Sequence, residues 1–410
     1  MEGPVPLDLA PQVAFDEGFY LRTYPDIAQA VETGAERSGF EHYVNHGRKE
    51  GRLGFPFDES WYLATYPLVE PELSAGMAAT AAEHFEKVGR HRGYLPAPTA
   101  ARPDDPAQIP SRFGGLWIDQ PNARDIVAGR RDIGLITRRQ ADLLLSFIDN
   151  GFVVLESAVP DREVERALAD LEAAYSGAFE ALLFECRAVS RENTPWQREF
   201  NLRPAKALDL HMFSEAIRDL IFSERVMEFV QLVFDAKAFA SQSLGFYRGS
   251  AQDAHQDSAY VPYTRQRHFV ASWIALEDVQ AGAGELFYLK GSHRLADYLF
   301  ASRFKSVAEA ARCEVAKEQL DREIPEHVRG LPERSAANGM TEETFLAKRG
   351  DVLIWHADLA HGGKPISVSR SRRSVVTHYC PKYSVPLFAE QRRVAMHDHH
   401  GKGFYTTSYY

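Results

Sequence analysis

From residue 238 onward the chain reads as a series of strands: AFASQSLGFY (238–247), HFVASWIAL (268–276), ELFYL (285–289), FLAKRGDVLIWH (345–356) and RSVVTHY (373–379). β-Branched and aromatic residues dominate these runs, as a pleated, half-buried surface requires. The helical signals come earlier. Thr137-Arg-Arg-Gln140 fits a capping box, apolar residues follow at Ala141, Leu144, Leu145 and Ile148, and Asn150-Gly151 supplies the stop. GFVVLESAV then reads as a strand, Asp161 as the cap of a second helix, and 214–234 as a further helical stretch. Helices first and strands later, without βαβ alternation, predict an α+β fold. A closed or double sheet of the jelly-roll kind suits these strands better than a doubly wound one. The polar, charged stretch 294–344 interrupts them as an insertion expected to help form a lid.

The first 95 residues carry a different signal. FDEGFYLRTYPDI begins at Phe15 and FDESWYLATYPLV at Phe57, an offset of 42 residues that also relates His42 to His84 and Gly47 to Gly89. Each copy reads as two short helices with glycine turns. A unit this small has an aromatic face it cannot bury alone, so the two copies are expected to pack together. His42 and His84 are expected to pack or hydrogen-bond within their own copies. Residues 96–112 are proline-rich with little aliphatic bulk, and read as a semi-rigid spacer. The expected organisation is therefore a helical repeat region over 1–95, a linker over 96–112 and a second domain over 113–410.

Composition narrows the function. Apolar residues make up 45% and charged residues 25%, ordinary globular values, and the net charge of −10 argues against a nucleic-acid partner. The N-terminus lacks the basic start and apolar run of a signal peptide, and no stretch approaches the 18 apolar residues of a membrane span. Three scattered cysteines suit a reducing compartment, so a cytoplasmic location is expected.

Fifteen histidines invite a search for metal ligands. In AHQDSAY, His255 and Asp257 stand two apart, and on a strand both would point to one face. RGDVLIWHADLAHGGKP offers His356 and His361 as further nitrogen donors. Either one with His255 and Asp257 makes two histidines and a carboxylate, which suits a non-haem iron oxygenase or, with one open position, a hydrolytic zinc. The arginines of SRSRRSVVTHY bear on that choice. A fixed cation there could grip a dicarboxylate through a bidentate pair, and Arg372 lies eleven residues beyond His361. Strand alternation puts Arg370, Arg372, Val376 and His378 on one face and Arg373, Val375 and Thr377 on the other. HDHH (397–400) reads as a solvated tail, and Gly291-Ser292-His293 as turn chemistry.

In this order, GFVVLESAVPDREVERALADLE, HQD, WIALEDVQAGAGELFYLKGSHR, GDVLIWHADLAHGG and RSRRSVVTHY resemble the phytanoyl-CoA dioxygenase family of Fe(II)/2-oxoglutarate oxygenases. The resemblance spans about 137–380 and implies a double-stranded β-helix. It implies His255, Asp257 and His361 as the iron ligands, Arg372 as the anchor of 2-oxoglutarate, Trp273 as a wall of that pocket, and Arg248 as an aid to co-substrate or substrate binding. Many relatives have a serine where this chain has Gly363. The implied reaction uses Fe(II), 2-oxoglutarate and O2 to hydroxylate an aliphatic C–H of a small molecule. Retention of Asp257 disfavours a halogenase. The N-terminal repeats resemble those beside bacterial glycosyltransferase and polysaccharide modules, which points to sugar or natural-product chemistry and to a protein or glycan partner. Two rivals stand beside this reading: a non-catalytic scaffold acting through the repeats, and a zinc-dependent hydrolase on a similar barrel.

Overall fold

Thr137 opens the helix Arg138–Asn150 with both halves of its capping box in place, and Gly151 closes it at φ 79°. Four residues on one stripe, Ala141, Leu144, Phe147 and Ile148, are buried, as the apolar spacing predicts. The computed structural model describes residues 15–65, 69–89, 96–97, 111, 113–119, 123–132, 134–382, 384–387, 389 and 394–408. The spacer expected over 96–112 lies almost wholly outside them. The chain divides into two units, Met1–Pro121 and Asn122–Tyr410.

In the first unit each repeat forms short helices. Glu17–Thr23, Pro25–Glu32 and Gly39–His42 make the first copy, and Glu59–Thr65, Val69–Ser74 and Ala81–His84 the second. Asp16 and Asp58 cap equivalent helices by accepting the amides of Phe19 and Trp61. Tyr20 Oη lies 3.0 Å from His42 Nδ1, and Tyr62 Oη lies 3.0 Å from His84 Nδ1. Both histidines are thus held inside their own copies, as expected. Among the described residues each copy buries a cluster of its own: Tyr20, Ile27 and Tyr43 in one, and Phe55, Tyr62, Val69 and Phe85 in the other.

The second unit holds eleven core strands among its described residues: β1 Phe152–Leu155, β2 Leu183–Glu185, β3 Thr194–Pro195, β4 Lys206–Leu208, β5 Ala238–Phe246, β6 Val270–Ala275, β7 Leu286–Leu289, β8 Glu342–Phe345, β9 Val352–His356, β10 His361–Gly363 and β11 Ser374–Pro381. A tail hairpin adds β12 His397–Asp398 and β13 Phe404–Tyr405. The larger sheet runs β1-β9-β6-β11-β5-β4-β2-β3, with β13 joining β5, and the smaller runs β10-β7-β8. All of these pairings are antiparallel except β13 with β5. Trp273, Trp355 and Val376 of the large sheet meet Leu286, Tyr288 and Phe345 of the small one in a single apolar core. Each such side chain contributes about 1.5–3 kcal/mol by burial. Antiparallel sheets with flanking helices fit a cupin-like core. No described helix is long and apolar enough to cross a membrane.

Four local expectations change. Asp161 is the first residue of the helix Asp161–Ala174, which Pro160 precedes without a side-chain cap. The stretch 214–234 breaks into Glu215–Ile221 and Glu224–Phe234. The insertion is not a long loop: it forms the helices Val307–Arg312 and Lys317–Ala337, and Phe300, Ala310 and Leu320 bury against Ala259. Finally, 345–356 is two strands in different sheets, β8 and β9, because the chain turns at Gly350 (φ 82°).

Gly350 donates its amide to Ala275 and accepts from the amides of Ala158 and Val159. A Cβ there would lie 2.8 Å from the Val159 carbonyl oxygen, which is backbone and cannot swing away. Gly350→Ala is expected to cost at least about 1–2 kcal/mol from the left-handed backbone alone, with the clash in addition. A lower urea midpoint at unchanged slope is the expected result.

Candidate metal centre

The centre starts from a backbone pairing. His255 and His361 are antiparallel bridge partners, with His255 N–H donating to His361 O at 2.9 Å and His361 N–H returning the bond at 3.0 Å. Gly363 N–H donates to Gln252 O at 2.8 Å. This approach needs Gly362 and Gly363. A Cβ on Gly362 would lie 2.5 Å from Gln252 O, and one on Gly363 would lie 2.5 Å from Ser250 Oγ. A serine at 363 would therefore collide with the hydroxyl already there.

Cross-strand pairing puts the two imidazoles side by side, with ring centroids 4.5 Å apart. Each Nδ1 faces a backbone carbonyl, Asp253 O for His255 and Leu359 O for His361, both at 2.9 Å. That contact fixes the proton on Nδ1 and leaves Nε2 as the lone-pair atom, which in His255 takes a long hydrogen bond from Gln252 Nε2 at 3.3 Å that a metal would replace. Asp257 is not two residues along a strand from His255 but opens a tight helical turn, Asp257–Ala259, that folds its carboxylate back toward the rings. Its Oδ1 lies 3.6 Å from His255 Nε2 and 3.8 Å from His361 Nε2. Its Oδ2 accepts from Trp355 Nε1 at 3.0 Å and lies 3.3 Å from His378 Nε2. One carboxylate oxygen is thus occupied by the protein and the other is turned toward the histidines.

The donor set fits a divalent metal: two neutral nitrogens and one anionic oxygen, all within 4.8 Å of one another. Burial, then His361, pushes the His255 ring down to about 4. Burial raises the Asp257 carboxyl, but His361, His378 and His255 outweigh it and hold the group well below the usual carboxylate range.

These groups form one wall of a cavity of about 200 Å³. Arg372 reaches the same cavity and is only 1% exposed. Its Nη1 donates to Gly284 O at 2.7 Å, its guanidinium stacks over Trp273 and Phe246 at 5.5 and 5.6 Å, and its Nε has no hydrogen-bond partner. Burial pushes this arginine down to about 10. A buried cation with an unused donor in a cavity fits an anionic ligand. Arg373 faces the other way and pairs with Glu277 and Glu172, and Arg370 is exposed. Trp273 and His378 line the cavity, whereas Arg248 does not; its Nε donates to Asn201 O at 2.8 Å. No residue of 294–344 lines the cavity; the insertion packs on Ala259, beside the lining residue Tyr260.

His356 ends β9 inside the core and accepts the Asp358 amide on Nδ1, against Phe147 and His293. Sequence reasoning missed Asp358, which stands midway between the two candidate histidines. This buried carboxylate bonds Ser258 Oγ and pairs with Arg267 at 2.5 Å and Lys305 at 3.0 Å. Its backbone carbonyl accepts from Gln256 at 2.6 Å. Both neighbours of Asp257 are thereby tied to the turn that delivers His361.

The phytanoyl-CoA dioxygenase (PhyH) family model matches residues 147–374. No curated protein sequence matches the chain. Among solved structures, the non-haem alpha-ketoglutarate-dependent carbocyclase SnoK from nogalamycin biosynthesis is 15% identical, with 63% of this chain and 92% of that one covered and a TM-score of 0.46. The epimerase SnoN from the same biosynthesis is 16% identical over 60% and 84% of the two chains (TM-score 0.42). EctD from S. alaskensis in its apoform is 19% identical over 60% and 77% (TM-score 0.42).

Two expectations follow from the geometry. His361→Ala abolishes Fe(II) binding in anaerobic equilibrium dialysis, whereas His356→Ala keeps full stoichiometry and only lowers thermal stability. Asp358→Ala leaves Lys305 and Arg267 buried without their shared anion and costs about 3–5 kcal/mol, read by chemical denaturation. Retained iron in His361→Ala would reassign the ligand.

Proposed function

The chain belongs to the phytanoyl-CoA dioxygenase family of non-haem Fe(II)/2-oxoglutarate-dependent oxygenases, and we propose that it hydroxylates an aliphatic C–H of a small molecule, a sugar or natural-product intermediate. The observation that carries the reading is that His255, Asp257, His361 and the buried cation Arg372 all line one cavity. His255 Nε2, His361 Nε2 and Asp257 Oδ1 would hold Fe(II), a three-donor set that suits an iron with further ligands to bind. With 2-oxoglutarate and O2 bound, the iron supplies the oxidising power for C–H cleavage, coupled to conversion of the co-substrate into succinate and CO2.

The protein's part is placement. Arg372 would take the distal carboxylate of 2-oxoglutarate, and Trp273 would wall its carbon chain. Trp355 and His378 hold Asp257 Oδ2, so Oδ1 is the oxygen presented to the metal. Leu244, Phe246 and Val376 make the wall apolar and keep water from the reacting centre. The substrate would enter past Glu185 and Lys206, which pair at 3.2 Å, and past Gln242, Gln252 and Tyr260. Those groups suit a polar, hydroxyl-bearing molecule better than a long acyl chain. The repeats would serve a protein or glycan partner, and the cytoplasm is the proposed location.

Arg372→Ala would leave the co-substrate carboxylate without its partner, at a cost of about 3–5 kcal/mol, a loss of roughly a hundred-fold or more in 2-oxoglutarate affinity. Arg372→Lys recovers part of it, because an ammonium lacks the bidentate fork. Anaerobic titration of the iron-loaded variants, followed by the metal-to-ligand charge-transfer band, gives the comparison. A large loss in Arg373→Ala with Arg372→Ala near wild type would overturn the assignment.

A further inference from the structure

HDHH (397–400) does not form the solvated tail that its sequence suggests. His397 and Asp398 make β12, which pairs with β13 and thereby joins the large sheet beside β5. His399 is only 4% exposed. Its ring packs on Phe222 at 5.1 Å, and its Nε2 lies 3.1 Å from Asp219 Oδ1 on the helix Glu215–Ile221. The turn is closed by His399 N–H to Gly403 O at 2.8 Å and by Gly401 N–H to Asp398 Oδ2 at 2.6 Å.

Consecutive side chains of an extended segment point to opposite sides. Here they do not. His400 adopts φ 52°, a left-handed conformation that a histidine enters at a cost, and its ring centroid comes within 4.6 Å of that of His399. The donor atoms of Asp219, His399 and His400 all lie within 4.8 Å of one another. The Asp219 carboxylate is divided: Arg166 Nη1 takes Oδ2 at 2.7 Å, and Oδ1 faces the histidines. Glu163, on the helix that carries Arg166, interacts electrostatically with Asp219 and Lys402 and has a buried Oε2 that accepts no hydrogen bond.

We propose that Asp219, His399 and His400 form a second metal site, separate from the candidate iron centre, in which a zinc ion clips the C-terminal hairpin to the helix Glu215–Ile221. Two imidazole nitrogens and one carboxylate oxygen are zinc donors, and a zinc ion draws such ligands to about 2.0–2.2 Å. The exposed His400 ring is free to make the closing movement. On zinc binding, the single ring proton of His399 moves from Nε2 to Nδ1, so the ring binds as the neutral tautomer and its hydrogen bond to Asp219 Oδ1 gives way to two bonds to the metal. Arg166 stays on Oδ2, so the carboxylate binds through one oxygen. Arg166 and Lys402 oppose the added charge, so the expected affinity is moderate and the role structural.

Zinc chloride alone is the probe, in isothermal titration of the metal-free full chain. Wild type should bind two equivalents, one at the candidate iron centre and one here. His400→Ala should bind one and keep its metal-free melting temperature, because the exposed ring it loses packs into no core. His255→Ala/Asp257→Ala should also retain one equivalent, and adding His400→Ala to it should remove that equivalent or weaken it at least ten-fold. Zinc should raise the melting temperature of the double variant but not of the triple one. Unchanged stoichiometry in His400→Ala, or a triple variant that still binds as the double one does, would overturn the site. A fault in the iron-centre reading would show separately, as a double variant that still binds two.

Discussion

A single buried carboxylate, that of Asp358, ties together the two chain segments that converge on the candidate metal centre. Arg267 and Lys305 meet it from two other parts of the chain, and Asp297 completes the cluster on Lys305 at 2.7 Å. Burial raises the carboxyl, but Lys305 and Arg267 outweigh it and keep Asp358 ionised. Ions withdrawn from water lose several kcal/mol of solvation each, so such a cluster holds together only when every member is present. That requirement explains the insertion. It contributes Asp297 and Lys305, and its apolar residues bury Ala259 in the turn begun by Asp257. Its work is to brace the ligand segment from behind.

The legible part of the site was the part encoded by local rules. Alternation carried back from β11 through Arg373 and Arg372 puts Arg372 and His378 on one face and Arg373 on the other, and in the structure the first two line the cavity while Arg373 pairs with Glu277. The capping box and the glycine stop bound one helix to the residue. His255 and Asp257 converge for a reason other than the one the spacing suggested, a turn in place of a strand. Their proximity survived the wrong local conformation because two residues apart is close in either.

What remained hidden depends on pairing across the sheets. Nothing near Asp257 in sequence announces that Trp355 and His378 will bond its second oxygen, since they come from strands about a hundred residues later. Asp358 stands between two histidines without any local signal, yet it bonds Ser258, Arg267 and Lys305 through its carboxylate and Gln256 through its carbonyl. The break at Gly350 was equally invisible. A glycine in a strand-like run signals a bulge as readily as a change of sheet, and only the Val159 carbonyl decides which.

The hydrogen-bonded bridge between His255 and His361 makes the backbone spacing of two candidate metal donors a property of main-chain pairing. The separation of this pair is thus set by main-chain hydrogen bonds, and the ring directions by the Nδ1 contacts to Asp253 O and Leu359 O. Changes elsewhere in the barrel can enlarge or recolour the substrate cavity without altering it. The glycine pair at 362–363 is what grants that independence, because it lets the two backbones close to contact. Reactivity and selectivity are thereby placed under separate structural control, one in the main chain and the other in the side chains that face the ligand.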